Sequence, residues 1–173
     1  MRLLRAAHRA AIAWKNGGGM TREVAAYPPG AGMDDFGWRV SIADVAASGV
    51  FSCFEGVDRI LTILEGRLSL RFAKEERVVT LGAGQPFAFP GDDPVDGAPV
   101  GGPVRDLNVM VRRGAWRAQV DLWRLGLDAD ATRIALATEP SPTFDVHDAL
   151  LLDPGEALPG EFSGYLIRFD PLI

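Results

Sequence analysis

Arg59-Ile60-Leu61-Thr62-Ile63-Leu64, then Glu65-Gly66, then Arg67-Leu68-Ser69-Leu70-Arg71-Phe72 forms two apolar, partly β-branched runs on either side of a glycine. Branched chains suit a pleated surface, and runs of this length bounded by a turn residue read as strands. The spacing predicts two β runs joined by a tight turn at Gly66. A third run, residues 77–81, continues the meander. Upstream, residues 22–26 and 37–43 are strand candidates. In the second, Trp38, Val40 and Ile42 share one face and Arg39, Ser41 and Ala43 the other, because successive side chains in a strand point to opposite sides. Downstream, a glycine turn after Leu81 leads into an apolar alternation that Pro90-Gly91 stops. Residues 92–105 hold prolines, glycines and aspartates and read as an irregular surface connection. Residues 106–112 return to period two, with Leu107, Val109 and Val111 on one side and Asp106, Asn108, Met110 and Arg112 on the other.

Residues 116–125, 132–137, 149–152 and 164–169 supply further strands, and no long amphipathic helix is evident. The 20 glycines and 12 prolines are spread along the whole length and punctuate short apolar segments, as in a sheet protein with many turns. The expectation is an all-β chain of two antiparallel barrels of jelly-roll type packed as one globule, residues 1–113 and 114–173. Closure would remove the sheet edges that so many short strands expose.

A chain of 173 residues can bury a core without covalent staples. The one cysteine, Cys53, excludes an intrachain disulfide and agrees with a reducing cytoplasm. Its apolar neighbours Phe51 and Phe54 predict an inert core thiol. The N-terminal arginines interrupt any signal-like apolar stretch, and nothing downstream is long enough to span a bilayer. The expected location is cytoplasmic, with no membrane partner. A net charge of −5 and a pI near 5.0 argue against a nucleic-acid binder, which leaves a small molecule as the expected partner.

Residues 14–23 carry the chemistry. Trp14-Lys15-Asn16 precedes Gly17-Gly18-Gly19, and Thr21-Arg22-Glu23 follows. Consecutive glycines are kept where φ is positive or where a group approaches the main chain. Lys15, Asn16 and Arg22 are donors, and exposed glycine amides would add more, so the segment suits an anion or a carbonyl. Arg39 and Ser41 on one polar face, Asp106 and Asn108 on another, and Arg59 at the start of a third strand could converge with it. A guanidinium clamps a carboxylate, and an amide suits a formyl or amide oxygen. The alternative is an internal salt-bridge network of Arg39, Arg59, Asp58 and Asp106. His8 and His147 stand far apart, outside any paired metal-ligand spacing, and His8 lies in a terminal stretch expected to fray. Neither a metal nor a cofactor is expected, and no catalytic residue is assigned.

Four motifs together resemble the HutD/Ves family of bacterial bicupin proteins. They are Trp14 to Gly19 with Thr21-Arg22-Glu23; Trp38-Arg39 with Ser41-Ile42-Ala43; Gly49 with Phe51-Ser52, Phe54, Gly56 and Asp58-Arg59; and Gly102-Pro103 with Asp106, Asn108 and Met110. Val50 and Glu55 stand where the family pattern often has proline. The resemblance implies two cupin-like barrels, the second smaller, and a regulatory or metabolite-binding role beside histidine utilisation. It implies formylated amino acids such as formylglutamate as ligands, and analogy with cupins allows a homodimer. The ligand-binding set is Trp14, Lys15, Asn16, Thr21, Arg22, Arg39, Ser41, Asp58, Arg59, Asp106 and Asn108. A cupin-type hydrolase or isomerase acting without metal on the same ligands, with Lys15 or Asp58 as acid or base, is the alternative.

Overall fold

The computed structural model describes residues 1–123 and 130–172, and these form fifteen strands and no α-helix. In chain order the strands are β1 (Arg2–Leu4), β2 (Ala11–Ala13), β3 (Gly19–Tyr27), β4 (Trp38–Val45), β5 (Gly49–Val50), β6 (Val57–Glu65), β7 (Arg67–Phe72) and β8 (Arg77–Gly82). They continue as β9 (Pro86–Pro90), β10 (Val95–Pro99), β11 (Val104–Arg112), β12 (Trp116–Leu122), β13 (Thr132–Ala137), β14 (Ala149–Leu152) and β15 (Gly164–Pro171). The last two residues of the strand expected at 116–125 lie outside the described residues. All pairings between these strands are antiparallel.

Two compact units divide the chain, Ala10–Arg113 and a second made of Met1–Arg9 with Gly114–Ile173. The sequence-based division at 113/114 is therefore joined by a second crossing at residue 9. The first residues are held rather than frayed. Arg2, Leu3 and Leu4 pair with Leu151, Leu150 and Ala149, and buried Asp148 accepts hydrogen bonds from the Ala6 amide and the Arg5 guanidinium, each at 2.7 Å.

In the unit Ala10–Arg113, two open sheets face a common core, one ordered β2-β3-β4-β11-β6-β9 and the other β5-β10-β7-β8. Leu61, Ile63 and Phe89 of the first meet Leu68, Leu70, Phe72, Leu81 and Val95 of the second. The other unit holds one open sheet, β1-β14-β13-β15-β12, with its own core around Ala135, Phe144, Leu152, Phe162 and Leu166. The expected closed barrels are thus not what the hydrogen bonding shows; the described ladders end in open edges.

Gly66 does not close a hairpin. Both edges of β6 are taken, by β11 and β9, so β7 has no place beside it and the chain crosses to the other sheet. Gly66 has φ +84, and a Cβ there would stand 2.7 Å from the Pro103 carbonyl oxygen, so the corner needs glycine twice over. The stretch expected to be irregular, 92–105, contains β10. Its Gly97 lies between Leu70 and Gly49 in the ladder, and a Cβ there would come within 2.3 Å of the Phe51 ring. The strand is glycine-bearing because an aromatic ring lies on it.

Candidate functional site

Period two places one row of side chains from each strand of the larger sheet on the core side. Arg39 of β4, Met110 of β11, Arg59 of β6 and Phe89 of β9 stand opposite one another in one row. Glu23, Ser41, Asn108, Leu61 and Phe87 form the next, and Thr21, Ala43, Asp106 and Ile63 the third. Leucine, isoleucine and phenylalanine fill the β6–β9 end. The polar side chains of β3, β4 and β11, with Arg59, line a cavity of about 610 Å³.

Arg59 is a buried cation, 6% exposed. Its Nε and Nη2 donate to Asn108 Oδ1 at 3.3 and 3.2 Å, and Nη1 donates to the Ser52 carbonyl at 3.3 Å. Its guanidinium carbon lies 5.5, 5.6 and 5.1 Å from the ring centres of Phe51, Phe54 and Phe89. All three hydrogen bonds go to neutral acceptors. A guanidinium has five N–H groups, so two remain for a ligand. Burial lowers its pKa to about 10, against the opposing charges of Asp106 and Cys53.

Arg39 is also buried and donates from Nε to Glu23 at 2.8 Å. Asp106 is 2% exposed. Burial pushes its carboxyl up to about 7, Arg59 draws it down, and Asp44 adds to the rise. No ion pair joins Asp106 to Arg59 among the described residues. With Arg39 on Glu23, the internal network of Arg39, Arg59, Asp58 and Asp106 does not form.

At the mouth, the Trp14 ring packs edge-on to Phe51, with centroids 6.1 Å apart, and its Nε1 donates to Thr21 Oγ1 at 2.7 Å. Lys15 is exposed beside it. Asn16 turns back on the loop, its Oδ1 accepting from the Gly18 amide at 3.0 Å, while the Gly17 amide donates to the Trp14 carbonyl. Those two amides therefore shape the turn instead of waiting for an anion. Of the expected set, Trp14, Lys15, Asn16, Thr21, Arg39, Ser41, Arg59, Asp106 and Asn108 all line the cavity.

Arg22 and Asp58 do not. Arg22 ion-pairs with Asp44, which also accepts from Arg105 at 2.7 Å. Asp58 pairs with Arg113 at 2.7 Å. Each neighbours a residue that points inward, Thr21 or Glu23 in the first case and Arg59 in the second, so each points out. Cys53 is exposed, contrary to the expected core thiol. Its neighbours Ser52 and Phe54 line the cavity, and their loop is held by the Phe51 and Phe54 amides on the Val95 and Gly91 carbonyls.

The profile of the HutD family matches residues 6–157 of this chain. The chain belongs to the HutD family. It is 40% identical over 123 residues to an uncharacterised 21.2 kDa protein in the hutC 3′ region of Pseudomonas putida, covering 69% of this chain and 63% of that protein. It is 43% identical over 108 residues to Protein Ves of Citrobacter koseri, covering 62% of this chain and 56% of the relative. These matches thus span less than two thirds of either relative. The structure titled HutD from Pseudomonas fluorescens SBW25, in a formate condition, superposes with a TM-score of 0.83 at 30% identity over 98% of each chain.

In this HutD-family chain the cavity also has walls that sequence reasoning left out. Phe51 and Phe54 appear in the family motif without a role, yet they face Arg59. Glu23, present in the first motif without a role of its own, is the partner of Arg39. Residues 31–33 and the exposed Ile12 and Val50 form an apolar rim. Neither histidine lines the cavity, and no group of three or more His, Cys, Asp or Glu among the described residues could hold a metal. Among the described residues no helix is long and apolar enough to cross a membrane.

Proposed function

We propose that the cavity binds a small carboxylated metabolite of the acylated amino-acid class, with formylglutamate as the leading case. In this reading the protein acts as a cytoplasmic binding protein with a regulatory role in histidine utilisation. The observation that carries it is the Arg59 guanidinium, buried on the cavity wall, bonded only to neutral oxygens and left with two free N–H groups. A buried charge in that state gains most from an anion that can take both. Charge count agrees: Arg39, Arg59 and Lys15 stand against Glu23 and an Asp106 carboxyl raised to about 7, so the cavity carries excess positive charge at neutral pH. The cavity offers no imidazole, so recognition falls to guanidinium, carboxamide and hydroxyl groups. The place of the Pseudomonas putida relative beside hutC supports the metabolic setting. Within this reading each unit is a cupin-type roll, supported by the facing sheets and shared core of Ala10–Arg113.

A thermal-shift titration tests it. N-formylglutamate at about a hundred times its dissociation constant stabilises the fold by roughly 2.7 kcal/mol, and Arg39→Gln removes most of the gain. Absence of any shift with N-formylglutamate, glutamate and succinate would overturn it.

One observation favours a second reading, catalysis. A carboxyl near neutrality inside a cavity is suited to proton transfer, which makes Asp106, not Lys15 or the outward Asp58, the acid–base group of that alternative. Formate released from N-formylglutamate by the protein but not by Asp106→Asn would establish it.

A further inference from the structure

The Asp106 carboxylate is nearly sealed from solvent and yet accepts no hydrogen bond from any described residue. Buried carboxylates ordinarily have donors, because each oxygen loses water on burial. Here the neighbours across the ladder are Ala43 on β4 and Ile63 on β6, and neither side chain can donate. Arg59 acts on its charge from a distance but is turned to Asn108 and Ser52. Ser41, diagonal to it, makes no hydrogen bond with it, and Lys15 lies at the mouth. Asp106 thus lines the cavity as an acceptor without a donor.

We propose that Asp106 reads a hydrogen-bond donor on the ligand, so that the cavity selects carboxylates carrying an N–H over isosteres that lack it. This rests on the carboxylate reading above and adds a second specification to the ligand. The Arg59 guanidinium reaches the Asn108 row, and Asp106 stands one row beyond, two residues along β11. That is about 7 Å in an extended strand. The ligand therefore presents its carboxylate and its N–H at separate points along its length. The raised carboxyl pKa agrees with an acceptor that lacks donors. A site built around an unsatisfied acceptor discriminates strongly against a ligand that leaves it unsatisfied.

The test is a matched pair in titration calorimetry: N-formylglutamate against 2-formyloxyglutarate, in which an ester oxygen replaces the N–H at nearly unchanged shape. The wild-type protein is expected to bind the amide at least tenfold more tightly, and Asp106→Asn to reduce that ratio below about threefold. Equal binding of both ligands by the wild-type protein overturns the donor reading and leaves the carboxylate site standing. An unchanged ratio in Asp106→Asn overturns it too. Binding of neither ligand removes both readings. The wild-type ratio stands by itself if the variant fails to fold.

Discussion

Arg59 meets Asn108 through one oxygen twice over, with Nε and Nη2 at 3.3 and 3.2 Å from Oδ1, and this holds the cation of the cavity wall in place without cancelling its charge. Two substitutions at residue 108 separate those effects. Asn108→Asp keeps both hydrogen bonds and supplies a negative charge, so the fold is retained while affinity for N-formylglutamate drops at least tenfold in calorimetry. Asn108→Leu strips the acceptor from a buried cation and costs about 1.5–3 kcal/mol in urea denaturation.

Asp106 gives the protein a specific pH dependence. From the strands around it, Arg59, Arg39, Glu23, Thr21, Ser41 and Asn108 also face the cavity, with Lys15 at its mouth. Burial leads the rise to about 7. Between an ordinary carboxylate pKa of about 3.9 and that value, the unfolded chain has released the proton while the folded chain keeps it. The Asp106 contribution to stability falls as pH rises through this window, by up to about 1.4 kcal/mol per pH unit, and is level above it. Asp106→Asn removes this component, so the variant gains on the wild-type protein between pH 4.5 and 7.5 in denaturation series. A constant difference across that range would contradict the raised carboxyl.

The alternation that placed Arg39, Ser41 and Ala43 together, and Asp106, Asn108 and Met110 together, was readable because a strand has only two faces. The same rule shows why Arg22 and Asp58 were misplaced. Thr21 and Arg22 are consecutive, as are Asp58 and Arg59, and no regular strand turns both members of such a pair inward. What the alternation could not show is which strands become neighbours. The crossing at Gly66 depends on β9 and β11 having taken both edges of β6, a fact of long-range pairing. The phenylalanine cage likewise depends on the 51–54 loop being tied to carbonyls of residues 91 and 95.

The three glycines within the binding segment differ in what they tolerate. A Cβ on Gly19 would lie 2.5 Å from the Asp44 carbonyl oxygen and 3.2 Å from the Trp14 ring, and the backbone oxygen in the β3–β4 ladder has nowhere to go. Gly19→Ala is expected to cost about 1–3 kcal/mol. It also weakens ligand binding, because Trp14 packs on Phe51 beside Arg59. Gly17→Ala meets no neighbour but must hold φ +72, at about 1–2 kcal/mol, with affinity unchanged. Gly18→Ala meets the Asn16 side chain at 3.3 Å and the Ala47 carbonyl oxygen at an ordinary 3.6 Å and is the mildest. Urea denaturation and calorimetry on the three variants check the order.

The outward ion pairs supply the control for the cavity itself. Arg22 with Asp44, and Asp58 with Arg113, are partly exposed pairs of a kind that contributes about 0–1 kcal/mol. Arg39, by contrast, is buried against Glu23 with its two Nη groups making no hydrogen bond to any described residue. Arg22→Gln and Asp58→Asn are therefore expected to keep the dissociation constant for N-formylglutamate within about twofold, and Arg39→Gln to raise it at least tenfold. If Arg22→Gln weakened binding as much as Arg39→Gln, the ligand would be held outside the sheet sandwich, and the row of Arg39, Met110 and Arg59 would be core alone.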